Sequence, residues 1–264
     1  MGQFELETAI TPAGPDTWTT HLHGAWNIGH HSNGGYAMVP VLRALGELSG
    51  QSDPITVTTH YLRPALGDSE ATINATLVRS GRTTSTARGT LSQEDKERLM
   101  VIAAFGDVER SVGEGPEINP DPPNLPPVEQ CVRRSAGAQG IELPVLSRAD
   151  VYLHPEHANA GKRDRAVVEG WVRFADGNEP TTMSLPFFAD VFPPSIFLLV
   201  GPIGWVPTIE LTVHVRRRPA PGWLLGRFWC DDLHKGRMIE TGALWDSTGA
   251  LVARSRQIGL LLKT

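Results

Sequence analysis

Residues 183–197 read MSLPFFADVFPPSIF, an almost wholly apolar stretch with a single carboxylate, Asp190, in its middle. No other side chain between residues 184 and 209 can titrate. A carboxylate among phenylalanines loses hydration, which raises its pKa unless a partner compensates. Such a group either caps a turn, which the two prolines after it would permit, or does chemistry. The stretch alone leaves both interpretations open.

A long internal repeat connects this stretch with the first half of the chain. Two short motifs recur at one spacing: Arg63-Pro64-Ala65 as Arg218-Pro219-Ala220, and Gly81-Arg82 as Gly236-Arg237. Both pairs lie 155 positions apart (218 − 63 and 236 − 81). At that offset Gly35 lies opposite Asp190, at the start of each expected helix. A period this long predicts two tandem domains rather than a solenoid.

The hydrophobic pattern supports the repeat, because the order of expected elements is the same in both halves. Met38, Leu42 and Leu45 recur at helical spacing, and Gly50 can close that helix. In the second half, residues 183–199 occupy the helix position. Alternating apolar and polar residues predict strands over these ranges: 4–10, 18–26, 55–62, 70–79, 83–92 and 99–105, then 151–153, 166–174, 208–217, 223–231, 238–245 and 251–262.

A helix followed by a long antiparallel meander, used twice, is typical of a hot-dog architecture. The expected fold is therefore α+β, a tandem (double) hot-dog in which each lobe wraps an antiparallel sheet round a central helix. Residues 108–130 are rich in Pro and Gly, which disfavours both sheet pairing and helix. The expected division is an N-terminal lobe (1–107), a linker (108–130) and a C-terminal lobe (131–264) that carries the site.

Composition narrows the function classes. The formal net charge of −5 argues against nucleic-acid binding, which needs a basic face. The two cysteines, Cys131 and Cys230, lie far apart and favour reduced thiols in the cytosol. The N-terminus lacks a basic and apolar leader, and the longest apolar run, 196–203, is too short to span a bilayer. We expect a cytoplasmic protein without a membrane partner.

Several motifs resemble the type II acyl-CoA thioesterases of the double hot-dog class over nearly the whole chain. They are Asn33-Gly34-Gly35-Tyr36, His60-Tyr61-Leu62-Arg63-Pro64, Ala189-Asp190 before Pro193, Thr208-Ile209, and Gln257-x-Gly259 after Leu251-Val252-Ala253. The resemblance implies that Asp190, Thr208 and Gln257 are catalytic, that acyl-CoA is the substrate, and that no cofactor is needed. The sequence departs from the family pattern after each of the three, at Val191-Phe192, Glu210-Leu211 and Ile258.

The implied chemistry is attack by a water molecule on the thioester carbonyl. Asp190 would be the base, and Thr208 and Gln257 would hold the water, because a hydroxyl and an amide both donate and accept. Backbone N–H groups at the helix start near Gly34 and Gly35, or at Asp190, would bind the oxyanion. The 155-residue offset places Gly35, Asp53 and Ile102 opposite the three, so one site per chain is expected.

Other residues suggest where the substrate lies. Phe187, Phe188, Phe192 and Trp205 could line an acyl tunnel, although such residues are often core. Arg216, Arg217 and Arg218 could meet CoA phosphates, or could form a solvated strand end. His21, His23, His30 and His31 lack metal-ligand spacing, so no metal site is predicted.

Three functions remain open from the sequence. The first is an acyl-CoA thioesterase, and the second is a non-catalytic acyl-CoA-binding protein of the same fold. The third is an enoyl-CoA hydratase, which is disfavoured because Ser195 stands where an Asp-x-x-x-x-His pair would need histidine. A homo-oligomer, a dimer of double hot-dogs, is possible.

Overall fold

A computed structural model describes residues 2–136, 140–161, 163–201 and 204–262. The first half contains α1 (Gln3–Glu7), β1 (Thr11–Gly14), β2 (Thr17–Leu22), β3 (Asn27–Ile28), β4 (His31–Ser32), α2 (Gly34–Ala37), α3 (Val39–Ser49), β5 (Asp53–Tyr61), β6 (Ser69–Arg79), β7 (Thr84–Gln93) and β8 (Lys96–Gly106). The second half contains β9 (Val132–Arg133), β10 (Ala149–Leu153), β11 (Ala166–Phe174), α4 (Leu185–Phe188), α5 (Phe197–Val200), β12 (Thr208–Val215), β13 (Leu224–His234), β14 (Arg237–Trp245) and β15 (Leu251–Leu260). Short 3-10 helices span Gly24–Trp26, Val128–Gln130, Pro144–Ser147 and Pro155–His157.

Within the described residues, thirteen strands form one antiparallel sheet. Their order is β1-β2-β6-β7-β8-β5-β12-β15-β14-β13-β11-β10-β9, so the first half supplies one end of the sheet and the second half the other. The predicted tandem hot-dog, of class α+β, is confirmed. Each predicted strand from 55 onward also appears, with ends shifted by at most a few residues.

The two lobes meet where β5 pairs with β12, and this seam carries the repeat as a two-fold relation. Val57 pairs with Val213, and Thr58 pairs with Thr212. Adding 155 to the first residue of one pair and subtracting 155 from its partner gives the other pair. The hydroxyls of Thr58 and Thr212 lie 2.9 Å apart at this point. The repeat in the sequence therefore corresponds to an approximate two-fold axis, or pseudo-dyad, in the structure.

The central helix of the first lobe is α3, which packs against β6, β7 and β8. Its buried face carries Val41, Leu42 and Leu45, and it ends where Gly50 takes a left-handed conformation with φ of 65°. Glycine adopts that conformation without the steric cost of a side chain, so the predicted helix end is confirmed.

Three predictions of local structure are wrong. The strand expected over 18–26 ends with β2 at Leu22, and a 3-10 helix follows at Gly24–Trp26. The segment 4–10 contains the short helix α1 rather than a strand, and its buried side chains are Phe4 and Thr8, four residues apart as on one face of a helix. Residues 183–199 form two one-turn helices, α4 and α5, instead of one long helix. Pro193 and Pro194 lie between them, and proline removes the backbone donor that a continuing helix needs.

The segment between the lobes runs over the outside of the second lobe. Residues 107–127 contain no helix or strand in the structure as described. Two tryptophans in strands of the second lobe hold it: Trp245 Nε1 donates to the Pro120 carbonyl at 2.9 Å, and Trp171 Nε1 donates to the Pro126 carbonyl at 2.9 Å. Throughout the described ranges no helix has the length and apolar character needed to cross a bilayer.

Candidate active site

The Asp190 carboxylate lies between the two lobes. It follows α4, and its Oδ2 accepts hydrogen bonds from Gly35 N at 2.8 Å and from Asn33 Nδ2 at 3.0 Å. The Asn33 side chain also caps α2, because its Oδ1 accepts from Tyr36 N at 2.9 Å. One asparagine amide therefore fixes both the helix start and the carboxylate.

Gly35 is required by this close approach. A Cβ on Gly35 would lie 2.8 Å from Asp190 Cβ, 2.8 Å from the Pro186 carbonyl oxygen and 2.9 Å from Phe187 Cα. Two of these atoms belong to backbone, which cannot move aside cheaply. The residue that the repeat aligns with Asp190 thus touches Asp190, because both lie beside the pseudo-dyad.

Burial raises the pKa of the Asp190 carboxyl to about 7, and the negative charge of Glu240 acts in the same direction. The hydrogen bonds from Gly35 and Asn33, and the positive charge of Arg134, oppose that rise. A carboxyl group with a pKa near neutrality can take and return a proton at physiological pH, which is what a general base and acid must do.

A second polar chain faces the same space. Thr208 Oγ1 donates to Gln257 Oε1 at 3.0 Å, and Gln257 Nε2 donates to Glu240 Oε1 at 2.7 Å. Glu240 Oε2 accepts from the Ser195 backbone N–H at 2.6 Å and from the Ser195 hydroxyl. Because a carboxylate only accepts, Glu240 fixes which end of the Gln257 amide points toward Thr208. One N–H of Gln257 remains to donate.

A cavity of about 380 Å³ joins these groups. Its polar wall includes Tyr61, Arg134, Asp190, Thr208, Glu240 and Gln257, and its apolar wall includes Ala37, Phe192, Trp205, Val206, Phe228, Met238 and Leu260. A bulge in β12 between Thr208 and Glu210 turns the strand end, as bulges near binding sites commonly do. An apolar cavity with a few converging polar groups suits a ligand that has an apolar body and one reactive group.

Two family models cover most of the chain. The acyl-CoA thioesterase C-terminal domain matches residues 120–261, and the acyl-CoA thioesterase N-terminal domain matches residues 22–106. The chain belongs to the acyl-CoA thioesterase family.

Solved structures with the same fold are similar to the chain over its whole length. A candidate thioesterase II from Thermobifida fusca is 30% identical, with a TM-score of 0.89, over 100% of this chain and 98% of that one. A hot-dog protein of unknown function from Alicyclobacillus acidocaldarius is 21% identical, with a TM-score of 0.85, over 100% and 99%. An uncharacterised Mycobacterium tuberculosis protein is 30% identical over 95 residues, which is 36% of this chain and 32% of that relative. The match thus spans about a third of the curated relative.

Only two of the four residues predicted to line an acyl pocket of this thioesterase-family chain lie at the cavity. Phe192 and Trp205 line the cavity, whereas Phe187 and Phe188 do not. Both of these are fully buried, and their rings pack in an aromatic core with Phe174, 6.0 Å and 4.6 Å away between centroids. Both residues lie in α4, all four residues of which are buried, whereas Phe192 follows the end of that helix.

The predicted oxyanion site also changes. Gly34 lines the cavity, and as the first residue of α2 its N–H has no acceptor within the helix. The Gly35 N–H, in contrast, already donates to Asp190. Gly35 therefore orients the proposed base and is not available to the substrate oxygen in this arrangement.

The predicted phosphate-binding arginines do not line the cavity. Arg216 and Arg217 follow the far end of β12, and the guanidinium of Arg218 binds Asp53 at 2.9 Å and Asp107 at 3.2 Å. Arg63, the repeat mate of Arg218, does line it. The repeat aligns Asp53 of the first lobe with Thr208 of the site. The first lobe therefore carries an aspartate at this position, and that aspartate binds Arg218.

Two residues of the site, Glu240 and the Asp190-binding Asn33, were not predicted from the sequence. Glu240 lies in β14 with Met238 on the face that points inward, and both are buried. A charged residue on the inward face of a strand is a recognisable signal, because burying it requires partners. No comparable signal indicated that Asn33 binds Asp190, since capping α2 is by itself a sufficient reason for an asparagine at this position.

The histidines form no metal site among the described residues, where no group of three His, Cys, Asp or Glu side chains could hold an ion. His21 and His23 pack against each other at 4.7 Å between ring centroids. The His31 ring lies 5.4 Å from the Trp205 ring at the cavity wall, and burial lowers the pKa of His31.

Proposed function

We propose that this chain hydrolyses an acyl-CoA thioester to a free carboxylic acid and CoA, with Asp190 as the base. The observation that carries the proposal is the shared cavity. It brings a carboxyl group with a pKa of about 7 to the same space as the Thr208–Gln257 pair. Asn33 and Gly35 hold that carboxyl group from the other lobe, so its position is fixed before any substrate arrives.

Thr208 and Gln257 would hold the attacking water. The free N–H of Gln257 can donate to the water oxygen, and the Thr208 oxygen can accept one of its protons. The water then has one proton left to direct at Asp190. The Glu240 carboxylate keeps Gln257 in the orientation that this requires.

The reaction balances without a further reactant. The water oxygen bonds to the carbonyl carbon, the carbonyl π electrons move to its oxygen, and Asp190 takes the water proton. When the tetrahedral intermediate collapses, the carbon–sulfur bond breaks and its electron pair leaves with sulfur. The sulfur takes the proton from Asp190, which regenerates the carboxylate and releases CoA as a thiol.

The cavity volume limits which part of the substrate is enclosed. At about 380 Å³ it is near the lower end of ligand pockets, which hold about 300–1,000 Å³. It fits the thioester and an acyl chain, so the CoA nucleotide would lie outside. Trp205, which is 42% exposed, and the exposed Arg63 lie at the outer part of this wall. We propose Arg63 as the cation that meets a CoA phosphate, because a guanidinium pairs phosphate oxygens in a bidentate manner.

The test is release of free thiol from acyl-CoA substrates of increasing chain length, with enoyl-CoA included. Hydrolysis of at least one acyl-CoA, lost in Asp190→Asn, would support the proposal. Binding without thiol release would favour the non-catalytic acyl-CoA-binding alternative. Water addition to enoyl-CoA without thiol release would favour the hydratase.

A further inference from the structure

Tyr61 lies in the same cavity and has no role in the reaction as described above. It is the last residue of β5, on the same face of the strand as the buried Val57 and Thr59, so its side chain points inward. The ring lines the cavity and packs on the start of α2. A Cβ on Gly34 would lie 2.9 Å from Tyr61 Cζ and 3.0 Å from its hydroxyl oxygen.

The Tyr61 hydroxyl is buried and has no hydrogen-bond partner among the described residues. Buried hydroxyls without a partner are uncommon, so each one needs an explanation. The hydroxyl of Tyr36, a residue of α2, does have hydrogen-bond partners. The Tyr36 hydroxyl donates to the Glu7 carbonyl at 2.7 Å and accepts from His23 N at 3.0 Å. The fold thus supplies partners for the Tyr36 phenol, whereas the phenol of Tyr61, a residue that lines the cavity, has none among the described residues.

We propose that the Tyr61 hydroxyl donates a hydrogen bond to the thioester carbonyl oxygen, and to the oxyanion that forms when water attacks. The proposal rests on the proposed hydrolysis for its substrate. It gives the oxyanion a donor in place of Gly35, whose N–H is committed to Asp190. The adjacent Gly34 N–H, which has no acceptor within its helix, can act as the second donor.

The charge state of Tyr61 suits this role. Burial raises the pKa of the Tyr61 hydroxyl well above its usual value, and the nearby carboxylates Asp190 and Glu210 raise it further. The phenol therefore keeps its proton through neutral pH, where the Asp190 carboxyl titrates. It stabilises the oxyanion by donating, and it does not transfer its proton.

The kinetic test compares Tyr61→Phe with a matched control, Tyr152→Phe. The Tyr152 ring packs edge-on against Trp223 at 5.6 Å, and Tyr152 does not line the cavity. Tyr61→Phe should lower kcat by roughly 10²–10³, the usual effect of removing one oxyanion donor, with little change in KM. Tyr152→Phe should change neither. A Tyr61→Phe variant with the kcat of the unmodified protein would overturn the proposal.

A spectroscopic test separates this proposal from hydrolysis itself. The probe is a non-hydrolysable amide analogue of acyl-CoA with an isotope-labelled carbonyl, examined by difference infrared spectroscopy. A hydrogen bond from Tyr61 should lower the carbonyl stretching frequency in the unmodified protein, and Tyr61→Phe should abolish that shift. If Tyr61→Phe abolishes the shift but the unmodified protein releases no thiol, the Tyr61 contact stands and the proposed hydrolysis is wrong. An equal shift in both proteins would end the Tyr61 contact, and failure to bind the analogue would end both.

Discussion

Replacing Asp190 with asparagine should make the protein more stable and much less active. Asp190 Oδ2 accepts both hydrogen bonds, from Gly35 N and Asn33 Nδ2, and an asparagine Oδ1 can accept the same two. The substitution therefore keeps the shape and the contacts while it removes a charge that burial disfavours. Turnover should fall by roughly 10²–10⁴, because the proton acceptor is lost.

The stability gain follows from the pKa. The carboxyl group has a pKa of about 7 in the folded chain and an ordinary value of 3.8. A shift of about 3 units corresponds to at most about 4 kcal/mol. Below the ordinary value both states are protonated and the gain vanishes. Between the two values it grows by about 1.4 kcal/mol per pH unit, since only the unfolded state ionises, and above the folded pKa it is constant.

The measurement is urea unfolding of both proteins at several pH values, together with thiol release. Asp246→Asn is the control of opposite sign. Hydrogen bonds from Thr248, Ala220 and Ala250 lower the pKa of the Asp246 carboxyl below its usual value despite burial. That variant should lose stability near neutral pH, and the loss should shrink as the pH falls through the lowered pKa. A stability difference for Asp190→Asn that stays constant from about pH 5 to pH 8 would refute the raised pKa.

Three further substitutions test the rest of the site. Gln257→Ala should abolish most thiol release. Ile102→Val changes the repeat-related residue, which is 46% exposed, and should alter the unfolding free energy by less than about 0.5 kcal/mol and leave turnover unchanged. Equal losses of turnover in the two variants would contradict a single site in the second lobe. Glu240→Gln should cost about 1–3 kcal/mol in thermal or urea unfolding, because a buried N–H loses its acceptor, and should reduce turnover less than Gln257→Ala. Arg63→Ala should raise KM roughly 3–10-fold, with a smaller effect at high salt, whereas Arg217→Ala should leave KM unchanged. A raised KM in Arg217→Ala with an unchanged KM in Arg63→Ala would instead indicate a phosphate contact at the end of β12.

The sequence determined the architecture because its signals are local or periodic. The spacing of Met38, Leu42 and Leu45 with Gly50 predicted the central helix, and alternation predicted the strands. The 155-residue repeat predicted the tandem arrangement, although Asp190 follows the end of α4 and does not start a helix. Each of these signals depends on which residues can share a face or end an element, which neighbouring residues reveal.

The tertiary structure alone decided which side chains meet. Phe187, Phe188 and Phe192 belong to one apolar stretch, yet the first two are core and the third lines the cavity, since the first two lie in α4 and the third follows its end. Which of the two repeat-related arginines lines the cavity also depended on packing.

Arg63 and Arg218 stand in identical triplets, but Asp53 binds one of them. The contact of Gly35 with Asp190 spans 155 residues. Contacts between residues so far apart are set by how the sheet closes round both helices, and a pattern along the chain carries no record of that closure.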